Sequence, residues 1–243
     1  MFRSFYFTIK KKMKTLYILL IFLIVIGGSL GVYFALKNND SSSETRNLNY
    51  GRFKVKISGS KNFVETYSNH SETAINNIKD FFNEDLTIQI EIKEFSESSN
   101  TLAKAGPYSI YDLKGGGYLE ININNSAANW VDVIEHEILH ILGIGTNYKW
   151  RHAIFYSNGY KLSSNEFPET YQVYSNHYET NGDLHVPLSN YDIGGHFSEP
   201  VFGTELMTPY SNEGQIQPVT LLTLTALKEL GWNVNLNKAE NKN

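Results

Sequence analysis

The 243-residue chain contains no cysteine. It therefore has no disulfide framework and no cysteine that could carry a lipid anchor, so the stability of its fold must come from packing and from any metal that it binds. No internal repeat is apparent in the sequence, which excludes a solenoid or another repeat array.

Acidic residues are absent from the first 39 positions, whereas five basic residues precede Thr15. Residues 15–36 then carry no charge, and their centre, LYILLIFLIVIGG, is almost entirely apolar. About 20 apolar residues suffice to span a bilayer, and positive charge before such a run keeps that side in the cytoplasm. We therefore predict a basic cytoplasmic tail over residues 1–14, a transmembrane anchor over 15–36, and export of the remainder to an extracytoplasmic location.

A cleaved signal peptide is the alternative interpretation of the same run, and it predicts a secreted protein. The run is longer than the roughly 7–15 apolar residues of a signal-peptide core, and no clean A-x-A site follows it. Ser29-Leu30-Gly31 is a weaker candidate for cleavage. These features favour an uncleaved anchor.

Beyond the apolar run the composition is acidic. Residues 38–243 contain 15 basic and 25 acidic side chains, a net charge of −10, and such a surface binds nucleic acid poorly. Residues 37–50 are polar and rich in serine and asparagine, which predicts a linker. We predict a single domain over 51–236, with an N-terminal lobe (51–142) and a C-terminal lobe (143–236), and a polar tail over 237–243.

Hydrophobic periodicity predicts the main elements of this domain. Alternation of apolar and polar residues predicts three strands, Phe53–Ile57, Leu86–Phe95 and Tyr118–Asn124. A helical period predicts helices over Ser71–Asn83 and Pro218–Gly231. Glycine and proline predict loops over Leu102–Pro107 and Lys114–Gly117, and residues 146–217 show little periodicity. The order of these elements indicates an α+β domain with a twisted mixed sheet.

The pattern H-E-x-x-H occurs between the third predicted strand and the irregular stretch, formed by His136, Glu137 and His140. On a helix, residues four apart share a face, so both imidazoles point to one spot and suit a zinc ion. Glu137 lies about 100° around the helix from His136. It borders the metal without ligating it, as a general base for a metal-bound water would. The residues around the motif predict both ends of this helix: Ser126 or Asn129 is the candidate N-cap, and Gly143 and Gly145 end the helix.

Spacing alone does not identify a third ligand. A catalytic zinc usually has three protein ligands and keeps one position for water. The remaining histidines are candidates, and so are two glutamates of the irregular stretch: His70, His152, His177, His185, His196, Glu166 and Glu169. The simplest alternative is an amphipathic helix that carries two surface histidines and no metal.

The segment Gly194–Tyr210 resembles the third-histidine and Met-turn region of the leishmanolysin family of metzincin zinc endopeptidases. In that family a long insertion separates the third histidine from the helix, and here Thr146 stands where other metzincins place that histidine. The resemblance implies that His196 is the third ligand and that Met207 lies beneath the metal. Three further segments resemble the family in the same order, so that the likeness spans about residues 65–236: Leu102–Pro107, His136–Gly145 and Ala226–Trp232.

This resemblance implies a metzincin-type zincin fold, in which the zinc-binding helix packs on a mixed sheet and an irregular C-terminal lobe carries the Met-turn and a closing helix. It also implies one catalytic Zn²⁺ and a protein or peptide substrate extended along an edge strand, for which Tyr118–Asn124 is the candidate. Tyr210 is a candidate donor to the oxyanion. The cysteine-based latency of protozoan members is impossible in a chain without cysteine.

A non-catalytic, zinc-stabilised binding module at the cell surface is the rival function. It would keep the fold and the metal but would not need Glu137. The intact H-E-x-x-H pattern therefore favours the peptidase.

Overall fold

The computed structural model describes residues 43–51, 53–83, 87–127, 129–180, 182–211 and 216–240. The predicted cytoplasmic tail and anchor, residues 1–36, lie outside this part of the chain. Within it, no helix combines the length and the apolar character that a bilayer crossing requires.

A five-stranded mixed sheet forms the N-terminal part of the domain, in the order β1-β2-β3-β5-β4. The β2–β3 and β3–β5 pairs are parallel, and the two outer pairs are antiparallel. The strands are β1 (Ser43–Asn49), β2 (Phe53–Ser60), β3 (Ile88–Phe95), β4 (Ala103–Pro107) and β5 (Gly117–Asn122). The predicted α+β class with a mixed sheet is thus confirmed.

The core lies on one face of this sheet. Alternate side chains of β2, β3 and β5 are buried, whereas Lys54, Lys56, Gln89 and Lys93 on the opposite face are exposed. Helix α1 (Lys61–Lys79) packs against β1 and β2, and helix α2 (Trp130–Ile141) packs against β4, β5 and α1. The period-2 alternation of the strands therefore sets which face receives the two helices.

The C-terminal part consists of short elements around a smaller sheet. Three antiparallel strands form this sheet: β6 (Ile154–Tyr156), β7 (Tyr160–Leu162) and β8 (Val186–Pro187). Helix α6 (Leu221–Leu230) packs against α4 (Pro168–His177). Trp232, just after α6, donates a hydrogen bond from Nε1 to Leu142 O at 2.7 Å. The other elements are α3 (Tyr148–Ala153), α5 (Glu199–Phe202) and a 3₁₀ turn (Leu236–Lys238).

Two predictions about the sheet edges are wrong. Leu102–Pro107 is mostly strand β4 rather than a loop, because an edge strand tolerates a proline at its end and glycine within it. Tyr118–Asn124 is not an edge, since β5 pairs with β3 on one side and with β4 on the other. Among the described residues, β4 is therefore the outer strand on this side of the sheet, and β1 is the outer strand on the other side.

Three other boundaries differ from the sequence-based expectation. Ser43–Asn49, placed in the linker by its polarity, pairs with β2 over its whole length. Helix α1 begins ten residues before the predicted Ser71, since Phe63, Val64 and Tyr67 extend its buried face. The stretch 146–217 contains short helices and strands whose few residues carry too little periodicity to be recognised.

One buried carboxyl between the two main helices makes folding sensitive to pH. Glu135 on α2 is 6% exposed and accepts a hydrogen bond from Asn77 Nδ2 on α1 at 2.6 Å. Burial raises the pKa of Glu135 from 4.5 to about 8, although the Asn77 bond opposes this rise. As the pH rises from about 4.5 to about 8, the unfolded chain loses this proton first, and the folded state is destabilised.

We expect Glu135→Gln to remove this loss of folding stability at high pH, because the glutamine side chain still accepts from Asn77 and carries no charge. The free energy of unfolding of the variant should exceed that of the wild type by roughly 1–3 kcal/mol at pH 8 and differ little at pH 5. Chemical denaturation at both pH values measures this, with the exposed Glu65→Gln as control. Parallel loss of stability in wild type and Glu135→Gln would contradict the assignment.

Candidate metal centre

Helix α2 presents the two histidines of the motif on one face. Its start is capped by Asn129, whose side chain accepts from Val131 N at 3.1 Å, so of the two proposed caps the structure uses this one. His140 is buried and His136 is partly buried. The helix is thus fixed at its first turn, which sets the direction of both imidazoles.

The end of α2 allows a distant segment to approach. Gly143 and Gly145 both have positive φ, at 114° and 74°. A Cβ on Gly145 would lie 2.0 Å from the carbonyl oxygen of Gly195, so only glycine permits this backbone contact. Trp150 Nε1 donates to Gly194 O at 2.9 Å from the other side. These contacts place the residue that follows Gly195, which is His196, beside the helix.

The Nε2 atoms of the three histidines converge. They lie 3.0 Å apart between His136 and His140, 2.8 Å between His136 and His196, and 2.9 Å between His140 and His196. Two nitrogens bound to one tetrahedral zinc at about 2.0–2.1 Å lie about 3.3 Å from each other, close to these separations. The triangle therefore has the size of the ligand set of a single ion.

The outer nitrogen of each ring faces an acceptor. His136 Nδ1 lies 2.7 Å from Leu206 O, and His140 Nδ1 lies 2.8 Å from Ile144 O. His196 Nδ1 pairs with the carboxylate of Asp192. Carbonyl and carboxylate oxygens only accept, so each Nδ1 carries the proton, and in a neutral ring each Nε2 is then a bare lone pair. Three lone pairs that face one another repel unless a cation lies between them.

The pKa values of His136 and His140 agree with neutral rings whose Nε2 atoms carry lone pairs. Burial lowers the pKa of His136 to about 3 and lowers that of His140 as well, with the neighbouring His196 adding to both shifts. At neutral pH these rings are therefore neutral, which is the form that binds a metal. The group of His136, His140 and His196 can hold a metal ion.

Asp192 is a residue that the sequence analysis missed. Its carboxylate accepts from Gly195 N at 2.9 Å and from His196, so it fixes both the turn and the imidazole. Burial by itself would raise the pKa of Asp192, but the hydrogen bond from His196 lowers it below its usual value. A carboxylate that orients a ligand histidine is a common second partner of such sites. The sequence feature that could have indicated this role is the position of Asp192 four residues before His196.

Glu205 is a second missed residue. It is fully buried, and its carboxylate accepts from Met207 N at 2.8 Å and from Thr223 Oγ1 at 2.6 Å. Met207 is also fully buried, and its carbonyl accepts from Phe197 N at 2.9 Å. Glu205 thereby connects helix α6 to the segment around Leu206. The carbonyl of Leu206 in turn accepts from His136 Nδ1.

Glu137 lies beside the converging nitrogens and lines the same cleft. It is 8% exposed, and burial raises its pKa to about 8. A positive charge held by the three histidines would lower this pKa, because it stabilises the carboxylate. Beside a bound cation, Glu137 would therefore be a carboxylate at neutral pH.

The other candidate ligands lie elsewhere. His185 accepts from Ser164 N at 3.2 Å and packs edge-on against Phe155, and neither Glu166 nor Glu169 lines the cleft. Glu169 instead pairs with Lys228 at 2.5 Å. The remaining histidines are His70 on α1, His152 against Tyr148, and the exposed His177 at the end of α4.

A cleft of about 1130 Å³ leads to the three histidines. One wall is the segment Asn100–Ala105, which includes the start of the free edge strand β4. Tyr191 and the segment Thr208–Ser211 also line the cleft. The metal-binding group is therefore reached through this cleft.

A scan against protein-family models finds no match to this chain, and no curated protein is significantly similar to it.

The identity of the third ligand can be tested by metal content. We expect His196→Ala to lose stoichiometric zinc, because two imidazoles remain, whereas His185→Ala should bind zinc like the wild type. Atomic emission on the purified proteins measures the stoichiometry. Full zinc in His196→Ala together with loss of zinc in His185→Ala would reverse the assignment.

The role of Asp192 predicts a graded loss of metal affinity. Asparagine offers one acceptor where aspartate offers two, so Asp192→Asn cannot serve both Gly195 and His196 equally well. We expect zinc affinity to fall by about 10–100-fold with the stoichiometry retained. Competition with a chromogenic chelator measures this, and Asp183→Asn, whose carboxylate pairs with Lys161, is the matched control. Equal affinities in the two variants would show that Asp192 does not support the ligand.

Proposed function

We propose that this chain is a zinc-dependent endopeptidase that hydrolyses peptide bonds of protein substrates, with a metzincin-type domain akin to that of leishmanolysin. The observation that carries the proposal is the convergence of three imidazole lone pairs beside Glu137 at the floor of an open cleft. Among the described residues, no fourth side chain joins this group. A position therefore stays open for water, as in catalytic rather than structural sites.

The free edge of β4 supports a peptide substrate. β4 pairs with β5 through one edge only, and the segment that contains its start lines the cleft. An extended peptide can add to such an edge through main-chain hydrogen bonds, which hold it independently of its sequence. The substrate strand expected along Tyr118–Asn124 is thus assigned to β4 instead.

The chemistry then follows from residues around the cleft. His136, His140 and His196 would hold the zinc through Nε2, and a zinc ion at this position supplies Lewis acidity that polarises the scissile carbonyl and acidifies a water. The Glu137 carboxylate takes the proton of the attacking water and delivers it to the leaving amine. Leu206, Ile144 and Asp192 keep the three rings in the required tautomer throughout.

Tyr210 is the proposed donor to the oxyanion. It lines the cleft, and its ring lies 5.7 Å from that of Tyr191. The hydrogen bond with Tyr191 raises the pKa of Tyr210 to about 12, so the hydroxyl is protonated at physiological pH and would turn from Tyr191 to donate to an oxyanion. We also infer from the apolar run over residues 15–36 that the domain is displayed outside the cytoplasm on a membrane anchor.

Glu137→Gln tests the catalytic step. The amide keeps the size of the side chain but cannot take a proton, so we expect unchanged zinc content and a fall in turnover of about 10²–10⁴-fold or more. A casein or peptide digest, inhibited by a chelator and restored by zinc, measures activity.

Glu135→Gln is the matched control, because Glu135 is also a buried carboxyl with a pKa near 8 but bonds Asn77 on α1. It should retain activity. Near-normal turnover in Glu137→Gln would exclude this mechanism, and absence of any hydrolysis by the zinc-loaded wild type would favour the non-catalytic binding module.

A further inference from the structure

A second carboxylate of helix α2 faces the cleft. Asp132 lies four residues, about one helical turn, before His136 and therefore shares its face of the helix. It is 7% exposed and forms part of the cleft wall. A substrate side chain that binds this carboxylate would lie within one helical turn of the metal-binding group.

The carboxylate of Asp132 lies in the first turn of α2 and accepts few hydrogen bonds from the described residues. Its Oδ2 accepts from Gln217 N at 3.2 Å, and no other described residue donates a hydrogen bond to it. Burial outweighs this bond and raises the pKa of Asp132 above its usual value. In contrast, Asp192 in the same cleft already accepts from His196 and Gly195. Asp132 therefore has more room than Asp192 to accept a hydrogen bond from a cationic group brought by a ligand.

The surroundings of Asp132 suit a long side chain with a charged end. Val133 lines the cleft next to it, and Gln217 Nε2 donates to Tyr210 O at 2.8 Å, which ties the Tyr210 segment to the same wall. Apolar surface from Val133 and the Tyr210 ring can cover the methylene groups of lysine or arginine while the head reaches the carboxylate.

No cation of the described cleft lining neutralises Asp132. Lys104 is the only lysine or arginine among these lining residues, and its Nζ pairs with Glu97 at 2.6 Å and lies over the Phe95 ring. The negative net charge of the domain sequence also favours approach of basic peptides.

We propose that Asp132 makes this site selective for a lysine or arginine residue next to the cleaved bond. The proposal rests on the proposed peptidase function for the position of the bond. Adjacency follows from the helix, since Asp132 stands four residues, a rise of about 6 Å, before His136, and the reacting carbonyl would lie beside His136 and Glu137. The substrate class is thus peptides with a basic residue at one of the two positions that flank the scissile bond.

Cleavage selectivity tests the proposal. Quenched-fluorescent peptides that differ only in lysine, norleucine or glutamate at each flanking position are compared for kcat/KM. We expect at least a tenfold preference for lysine over norleucine at one position in the wild type. Asp132→Asn keeps the shape and an acceptor for Gln217 N but not the charge, and should abolish most of this preference. The remote Glu65→Gln should preserve it.

Binding separates this inference from the proposed function. Zinc-loaded Glu137→Gln and the double variant Asp132→Asn/Glu137→Gln are titrated with the same labelled peptides by fluorescence anisotropy. Tighter binding of the lysine peptide that is lost in the double variant supports Asp132, even if the wild type hydrolyses nothing and the peptidase function fails. Equal binding of lysine and norleucine peptides, or a lysine preference that survives Asp132→Asn, overturns the inference while leaving hydrolysis as a separate result.

Discussion

The repulsion among three imidazole lone pairs is the constraint on which the rest of the structure depends. Neutral Nε2 atoms held about 3 Å apart are unfavourable without a cation. The fold maintains this arrangement through one acceptor behind each ring, at Leu206 O, Ile144 O and the Asp192 carboxylate. Each acceptor comes from a different part of the chain, so the ligand geometry is a property of the whole domain. A cation held by these three histidines would stabilise the folded domain, which has no disulfides.

The C-terminal part is joined to α2 by close backbone approach rather than by a large sheet. Gly145 lets the Gly195 carbonyl come within a distance that any Cβ would occupy. Trp232 reaches the last carbonyl of the α2 region, Leu142 O, and Glu205 links the Met207 turn to α6. Glycine contacts and buried polar bonds therefore add to an apolar core that is continuous between the two parts and includes Trp150, Phe197 and Leu227.

This difference between the N-terminal and C-terminal parts explains which elements and residues could be predicted from the sequence. Alternating residues such as Ile88, Ile90 and Ile92 and the i, i+4 histidines are local patterns, so β3 and the face of α2 were predictable. Strands β1 and β4 were not, because their polar or small residues become strands only by pairing with β2 and β5. Asp192 and Glu205 acquire their roles only when residues more than 50 positions beyond the end of α2 fold against it. The place of His196 beside the helix was expected from family resemblance, since no spacing rule reaches across 56 residues.

Glu135 and Glu137 have the same side chain, and their positions on helix α2 decide what each of them contacts. Both are buried carboxyls of one helix, two residues apart, and burial raises both pKa values to about 8. Residues two apart point in directions about 160° from each other, so one faces Asn77 on α1 and the other faces the cleft. The first remains a protonated packing group at neutral pH. The second lies beside the three histidines, where a bound cation would lower its pKa and restore its negative charge, as the proposed role of Glu137 as a base requires.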